Sequence, residues 1–225
     1  MGKDNLVRKD ISWEAAAEKV KGIVGDFLPM KGDLIKFRPE TSWLVNGLAE
    51  DHEGDHLGRV LVLAETLARV LIATGEVGVE INREAIDWGA VFHDTQINGA
   101  VYEEHGVAAA EWVEENWKEI MPFETSQETL QVVKYICQWH VSGESEVPEM
   151  IPELKTLRHA DSLDRVRFDD EQRLDESFLT LKFSKSLLVP IAKRLFELTD
   201  ESYASVEDGF DATIRAGVAM GLISE

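Results

Sequence analysis

Trp88-Gly89-Ala90-Val91-Phe92-His93-Asp94 is an apolar run that ends in adjacent imidazole and carboxylate side chains. Successive residues on a helix lie about 100° apart, so two neighbours reach one point only near a helix end, where a metal ion can collect both. Taken alone, the dipeptide reads more naturally as a buried histidine beside a helix terminus, because short motifs match by chance. The rest of the chain shifts that balance. Four of the six histidines, His56, His93, His105 and His140, fall at or near predicted helix ends, and Asp94 and Asp161 are carboxylates placed in the same way. Imidazole and carboxylate ligands together suit Fe, Mn, Co, Ni, Zn or Mg, while a chain with one cysteine has no thiolate cluster for a structural zinc site. These residues are too many for one catalytic ion with an open position. Two ions bridged by Asp94 and a water would use them all, with His56, His93 and Asp161 on one ion and His105 and His140 on the other.

Helices must position these groups. Ser12 can cap a helix to about Phe27, and residues 30 to 54 read as a loop with a short helix near Trp43 to Ala49. Asp55 is a good N-cap for a helix to about Ala73, whose apolar face carries Leu57, Val60, Leu61, Ala64, Leu67, Ala68 and Leu71, with His56 in the first turn. Asn82 caps the helix that runs to His93, and a short polar loop follows. His105-Gly106 opens a helix stopped by Pro122, and the capping box Thr125/Glu128 opens one that reaches His140. Pro148 or Pro152 begins a helix carrying Asp161 and Asp164 three apart on one face. Phe178 to Leu198 and Tyr203 to Ile223 read as two or three more helices, with Pro190 starting or kinking one. No β-branched run alternates and no repeat occurs, so the expected fold is all-α. One domain is expected: residues 51–170 form the metal-binding core, 1–50 an N-terminal helical extension packed on it, and 171–225 the C-terminal helices that complete it.

Charge narrows the function. The 225 residues carry 43 acidic and 23 basic side chains, a net charge of −20 that repels a polyanion and argues against a nucleic-acid polymer as partner. A small anionic substrate stays compatible if metals or local cations offset the field. The single cysteine, Cys137, excludes an intramolecular disulfide and suits a reducing compartment. The polar N-terminus does not look like a signal peptide, and the most apolar stretch, Val60 to Ala73, is broken by Glu65 and Arg69. A soluble, cytoplasmic protein with no membrane partner is the expectation.

In order and type, these residues resemble the HD superfamily of metal-dependent phosphohydrolases, over roughly residues 52 to 168. The resemblance rests on His56-Leu57-Gly58-Arg59-Val60, on His93-Asp94, on His105-Gly106 followed by Ala109, on Ile136 with His140, and on Ala160-Asp161-Ser162-Leu163-Asp164-Arg165. It implies an HD-type helical bundle in which His56, His93, Asp94 and Asp161 form a first metal site. It also implies that His105 and His140 are the extra ligands of the dinuclear branch. That branch includes cyclic-dinucleotide phosphodiesterases and bacterial diadenosine tetraphosphate hydrolases, and the latter share the His-Gly and the downstream His-x-x-Gly arrangement seen here at His140 to Gly143. The implied activity is hydrolysis of a phosphomonoester or phosphodiester in a small phosphorylated molecule, a nucleotide or dinucleotide. Its cofactor is a pair of divalent ions that activate a hydroxide and neutralise phosphoryl charge.

Further residues fall into place around that chemistry. Arg59, Lys155, Arg158, Arg165 and Arg167 are candidate phosphate clamps, since guanidinium grips phosphate bidentately. Asp164, one turn beyond Asp161, can orient a ligand or Arg59, and His52 is a loop residue near the substrate. His159 points away from Asp161 and reads as structural. Where many relatives place a lysine or arginine three residues after the aspartate of the dyad, this chain has Ile97, with the neutral Thr95 and Gln96 before it. Two other readings use the same scaffold: a mixed-valent di-iron oxygenase that cleaves a C–P or C–C bond, and a non-catalytic nucleotide-sensing domain, which the absence of a cation at Ile97 favours. The flanks, 1–50 and 171–225, are expected to shape the pocket or form a homodimer interface.

Overall fold

Helix α3 (Gly54–Thr74) is buried almost all round its first four turns, from His56 to Ala68, as expected of a helix with apolar residues on every side. The computed structural model describes residues 11–45, 54–77, 80–97, 104–122, 124–168, 174–203 and 208–225; His52 lies outside them. Around α3 stand α1 (Trp13–Val24), α4 (Arg83–Phe92), α7 (Pro152–Asp164), α8 (Val189–Tyr203) and α9 (Gly209–Ala219). A second layer, α5 (His105–Ile120) against α6 (Gln127–Trp139), packs onto α4 and α7 through α6. The short α2 (Lys31–Ile35) sits on α9.

The fold is all-α, with no strand among the described residues, and one continuous apolar core runs from Ala16 to Ile223. Met30 and Ser224 form a single parallel bridge, with Lys31 N donating to the Ser224 carbonyl at 2.8 Å. No helix among the described residues is long and apolar enough to cross a membrane.

Local chemistry explains most helix boundaries. Ser12 accepts from the Ala15 amide at 3.4 Å, Asn82 from Ala85 at 3.0 Å, and Asp208 from Phe210 at 2.7 Å, so each first turn has a donor satisfied. Pro152 occupies the first position of α7, where its missing N–H costs nothing. Three expectations are corrected. Ser126 caps α6, accepting from Thr129 N at 3.0 Å, while Thr125 Oγ1 instead donates to Glu84 of α4 at 3.0 Å. Asp55 lies inside the first turn of α3 and its carboxylate accepts from Arg59. The stretch expected to be helical from Trp43 is a 3-10 turn, Thr41–Trp43, after which Val45 N bonds to the Thr95 carbonyl at 3.0 Å; residues 46–49 lie outside the described ones. Near the C-terminus Pro190 supplies no N–H for the preceding turn, and Ser184–Leu188 accordingly form a π-helical turn before α8.

This architecture gathers five helix segments at one end of the bundle. His56 sits in the first turn of α3, His93 caps the C-terminus of α4, His105 opens α5, His140 caps the C-terminus of α6, and Asp161 lies in the last turn of α7.

Candidate metal centre

Two glycines allow the helices that carry the histidines to approach. A Cβ on Gly89 would stand 2.8 Å from Ile136 Cγ2, so only glycine lets α4 lie this close to α6 one turn before His93 and His140. A Cβ on Gly106 would meet the Cys137 carbonyl oxygen at 2.7 Å, which fixes the start of α5 against the end of α6. The result is a chain of rings. His56 and His93 have centroids 5.5 Å apart, His93 and His140 5.0 Å at 89°, and His105 and His140 4.9 Å.

Asp94 stands between the rings and divides them by oxygen. Its Oδ2 lies 3.3 Å from His56 Nε2 and 3.5 Å from His93 Nε2. Its Oδ1 lies 3.1 Å from both His105 Nε2 and His140 Nε2. Asp161 Oδ1 completes the first group, 3.8 Å from His56 Nε2 and 3.9 Å from His93 Nε2. Ligand atoms about 2.1 Å from a shared ion are about 3.0 to 3.4 Å apart, close to these separations. His56, His93 and Asp161 present such atoms within 4.8 Å of one another, and so do His93, Asp94 and His140. The ring of His93 is thus near both groups. Because its Nε2 faces the same carboxylate oxygen as His56, we place it with His56, and His105 with His140.

The outer nitrogens decide what the inner ones can do. His93 Nδ1 donates to the Ala90 carbonyl at 3.0 Å and His140 Nδ1 to the Cys137 carbonyl at 2.7 Å, acceptors that leave neutral Nε2 as a lone pair. His56 Nδ1 donates to Asp164 Oδ2 at 2.8 Å, with the same outcome. When the three rings are neutral, their inward lone pairs face the carboxylate oxygens of Asp94 and Asp161. Acceptor against acceptor is repulsive unless a proton or a metal cation lies between them, and His93 Nε2, fully buried, has no hydrogen-bond partner among the described residues. The donor set fits divalent cations.

A buried carboxylate supports this arrangement from behind. Asp164, wholly inaccessible, accepts from His56, from Arg59 Nε at 2.6 Å and Nη2 at 3.2 Å, and from Arg167 Nη1 at 2.6 Å. Burial disfavours its charge, but Arg59 and His56 overcome that and hold the carboxyl well below the usual range. Burial likewise opposes charge on His56, yet Asp164 and Asp94 raise its pKa to about 9. At His140 burial wins over the pull of Asp94 and the pKa falls. Burial would raise the Asp161 carboxyl, and His93 beside it holds it low. A proton on His56 thus partly takes the place of a cation in this acid-rich centre. The side chain of Asp161 is 35% exposed against 9% for Asp94, so the centre opens along α7.

The structure brings together His56, His93, Asp94, His105, His140 and Asp161. It ties Arg59 to Asp55 and Asp164, and Arg167 to Asp164 through Nη1, so neither guanidinium is wholly given to a phosphate. Arg165 is exposed at the end of α7, and Lys155 is half-buried two turns before Asp161. Ile97 closes the turn after the dyad, its N–H bonded to the Asp94 carbonyl at 3.1 Å. His159 is held by Ser184 Oγ at 2.9 Å and Thr180 Oγ1 at 3.2 Å, in keeping with a structural role. One buried acidic pair escaped sequence reasoning: burial and the neighbouring Glu65 push the Asp87 carboxyl well above the ordinary range. Its signal was a charged residue within the apolar stretch of α4.

No family model, no curated protein and no solved structure matches this chain.

Proposed function

We propose that the protein is a metal-dependent phosphohydrolase that holds two divalent ions and hydrolyses a phosphate ester in a small phosphorylated molecule, of the nucleotide or dinucleotide class. The observation that carries this reading is the set of inward Nε2 atoms of His56, His93 and His140, gathered around Asp94 while an acceptor holds each Nδ1. Divalent ions bound there would acidify a water, polarise a phosphoryl oxygen and neutralise charge that develops on phosphorus. His56, His93, Asp161 and Asp94 Oδ2 would hold the first ion, and His105, His140 and Asp94 Oδ1 the second.

The chain's own residues do the rest. Asp164 keeps the His56 proton on Nδ1, and Arg59 and Arg167 keep Asp164 ionised while satisfying its remaining lone pairs. Burial of the four histidines keeps bulk water from their rings, and the more exposed edge at Asp161 is where substrate would enter. A phosphomonoester or phosphodiester fits a protein of net charge −20 because the positive charge it needs arrives with the ions. The test is phosphate or nucleotide release from a panel of nucleotides and dinucleotides, assayed without oxygen in the presence of Mn²⁺ or Co²⁺. Turnover that is lost in Asp94→Ala supports the proposal. Bound iron, with oxygen consumed on an organophosphonate or polyol and no anaerobic hydrolysis, would replace it by an oxygenase.

A further inference from the structure

Arg158 is the exception among the well-defined arginines. Arg38, Arg59, Arg69, Arg83, Arg167 and Arg194 each hold a carboxylate. Arg158 makes no hydrogen bond or ion pair with any described residue, and its Nη1 is shielded from solvent with no acceptor. A desolvated guanidinium N–H without an acceptor costs stability. In a chain with 43 acidic and 23 basic residues, an available carboxylate would be the easy remedy.

Its place in the fold suggests what fills the gap. Arg158 precedes Asp161 by three residues on α7, about 60° round the helix and about 4.5 Å along its axis. That puts it beside the edge where Asp161, the most exposed member of the centre, opens to solvent. Lys155 stands one turn further on, and the fields of Lys155 and Arg158 act together on His159 after burial has lowered its pKa. Arg59 and Arg167 are already committed to carboxylates, whereas Arg158, whose buried Nη1 has no acceptor, holds none among the described residues.

We infer that Arg158, assisted by Lys155, binds a second oxyanion of the substrate, a phosphate adjacent to the one at the metal centre. This assignment rests on the proposed phosphohydrolase reading and narrows it to substrates with at least two neighbouring anionic groups. The guanidinium offers a planar pair of donors that matches a phosphate, and the ammonium adds a point charge behind it.

The test titrates the Mn²⁺-loaded full chain with inorganic pyrophosphate and with orthophosphate by calorimetry, and measures metal content on the same samples. In Arg158→Gln, pyrophosphate affinity should fall about tenfold or more while orthophosphate affinity changes by about twofold or less. Arg158→Lys should recover part of the loss, and metal content should stay at the wild-type value. Arg158→Met should melt no lower than the parent, since it removes an unsatisfied donor. Wild-type pyrophosphate affinity in Arg158→Gln would overturn the inference, as would a markedly lower melting temperature in Arg158→Met, which marks a structural role. The metal reading fails separately: it falls if Asp94→Ala keeps its metal, whatever Arg158 does.

Discussion

At the scale of single residues, the central asymmetry is between His56 and the other histidines. His93 and His140 have their tautomers set by backbone carbonyls, whereas His56 is set by the Asp164 carboxylate. Replacing Asp164 by Asn keeps the shape but weakens the hold on the Nδ1 proton, takes away the carboxylate that Arg167 holds and leaves Arg59 with Asp55 alone. Asp164→Asn should therefore bind the first ion about 10- to 100-fold more weakly, measurable by competition with a chelating dye. Unchanged affinity would mean that Asp164 only braces the helices. A pH dependence follows from the same pair. In the metal-free chain the pKa of His56 is raised to about 9, so its contribution to stability is fully present below the unfolded value near 6.5 and fades as pH rises through 9. Because the ion must displace that proton, metal affinity should climb with pH up to about 9. Thermal melts of metal-free protein and metal titrations across this range check both directions. Asp94 and the four histidines were legible in the sequence because residue type and helix-end position are local facts. The link from Asp164 to Arg59 was legible only as one of two roles, since a partner 105 residues away leaves no local trace, and the hold of Asp164 on Arg167, three residues on, was not legible at all.

At the scale of elements, the close approach of α4, α5 and α6 determines whether the two groups of ligands share Asp94. Gly106→Ala would press a methyl group against the Cys137 carbonyl, a rigid backbone atom 2.7 Å from the new Cβ. It should cost about 1 to 3 kcal/mol in stability and weaken the ion at His105 and His140 more than the one at His56. Gly22→Ala in α1 is the contrast: nothing lies within 4 Å of its Cβ, and the change should be neutral or stabilising by up to about 1 kcal/mol. Equal melting temperatures for the two variants would contradict the packing argument. Helix periodicity made α1 and α3 through α7 readable, apart from end shifts such as the cap at Ser126 in place of Thr125. The region near Trp43 and the π-helical turn before Pro190 were not readable, because long-range contact with Thr95 and the missing proline N–H outweighed local propensity there.

At the scale of the whole molecule, one core and an excess of acidic charge frame the centre. The core extends from Ala16 to Ile223, so the C-terminal helices are part of the domain that holds α3 in place. All-α organisation was legible from composition and periodicity, while the depth of the centre was not: His93 is wholly buried and Asp94 nearly so, which depends on how five helix ends meet. That convergence on a single carboxylate is the claim from which everything else follows. The most direct measurement is metal content by mass spectrometry of the full chain, wild type against Asp94→Ala, after loading with Mn²⁺ or Co²⁺ and desalting. Two ions per wild-type chain and none or one in Asp94→Ala is the predicted result. Equal metal content in the two proteins, or none in either, would contradict the account.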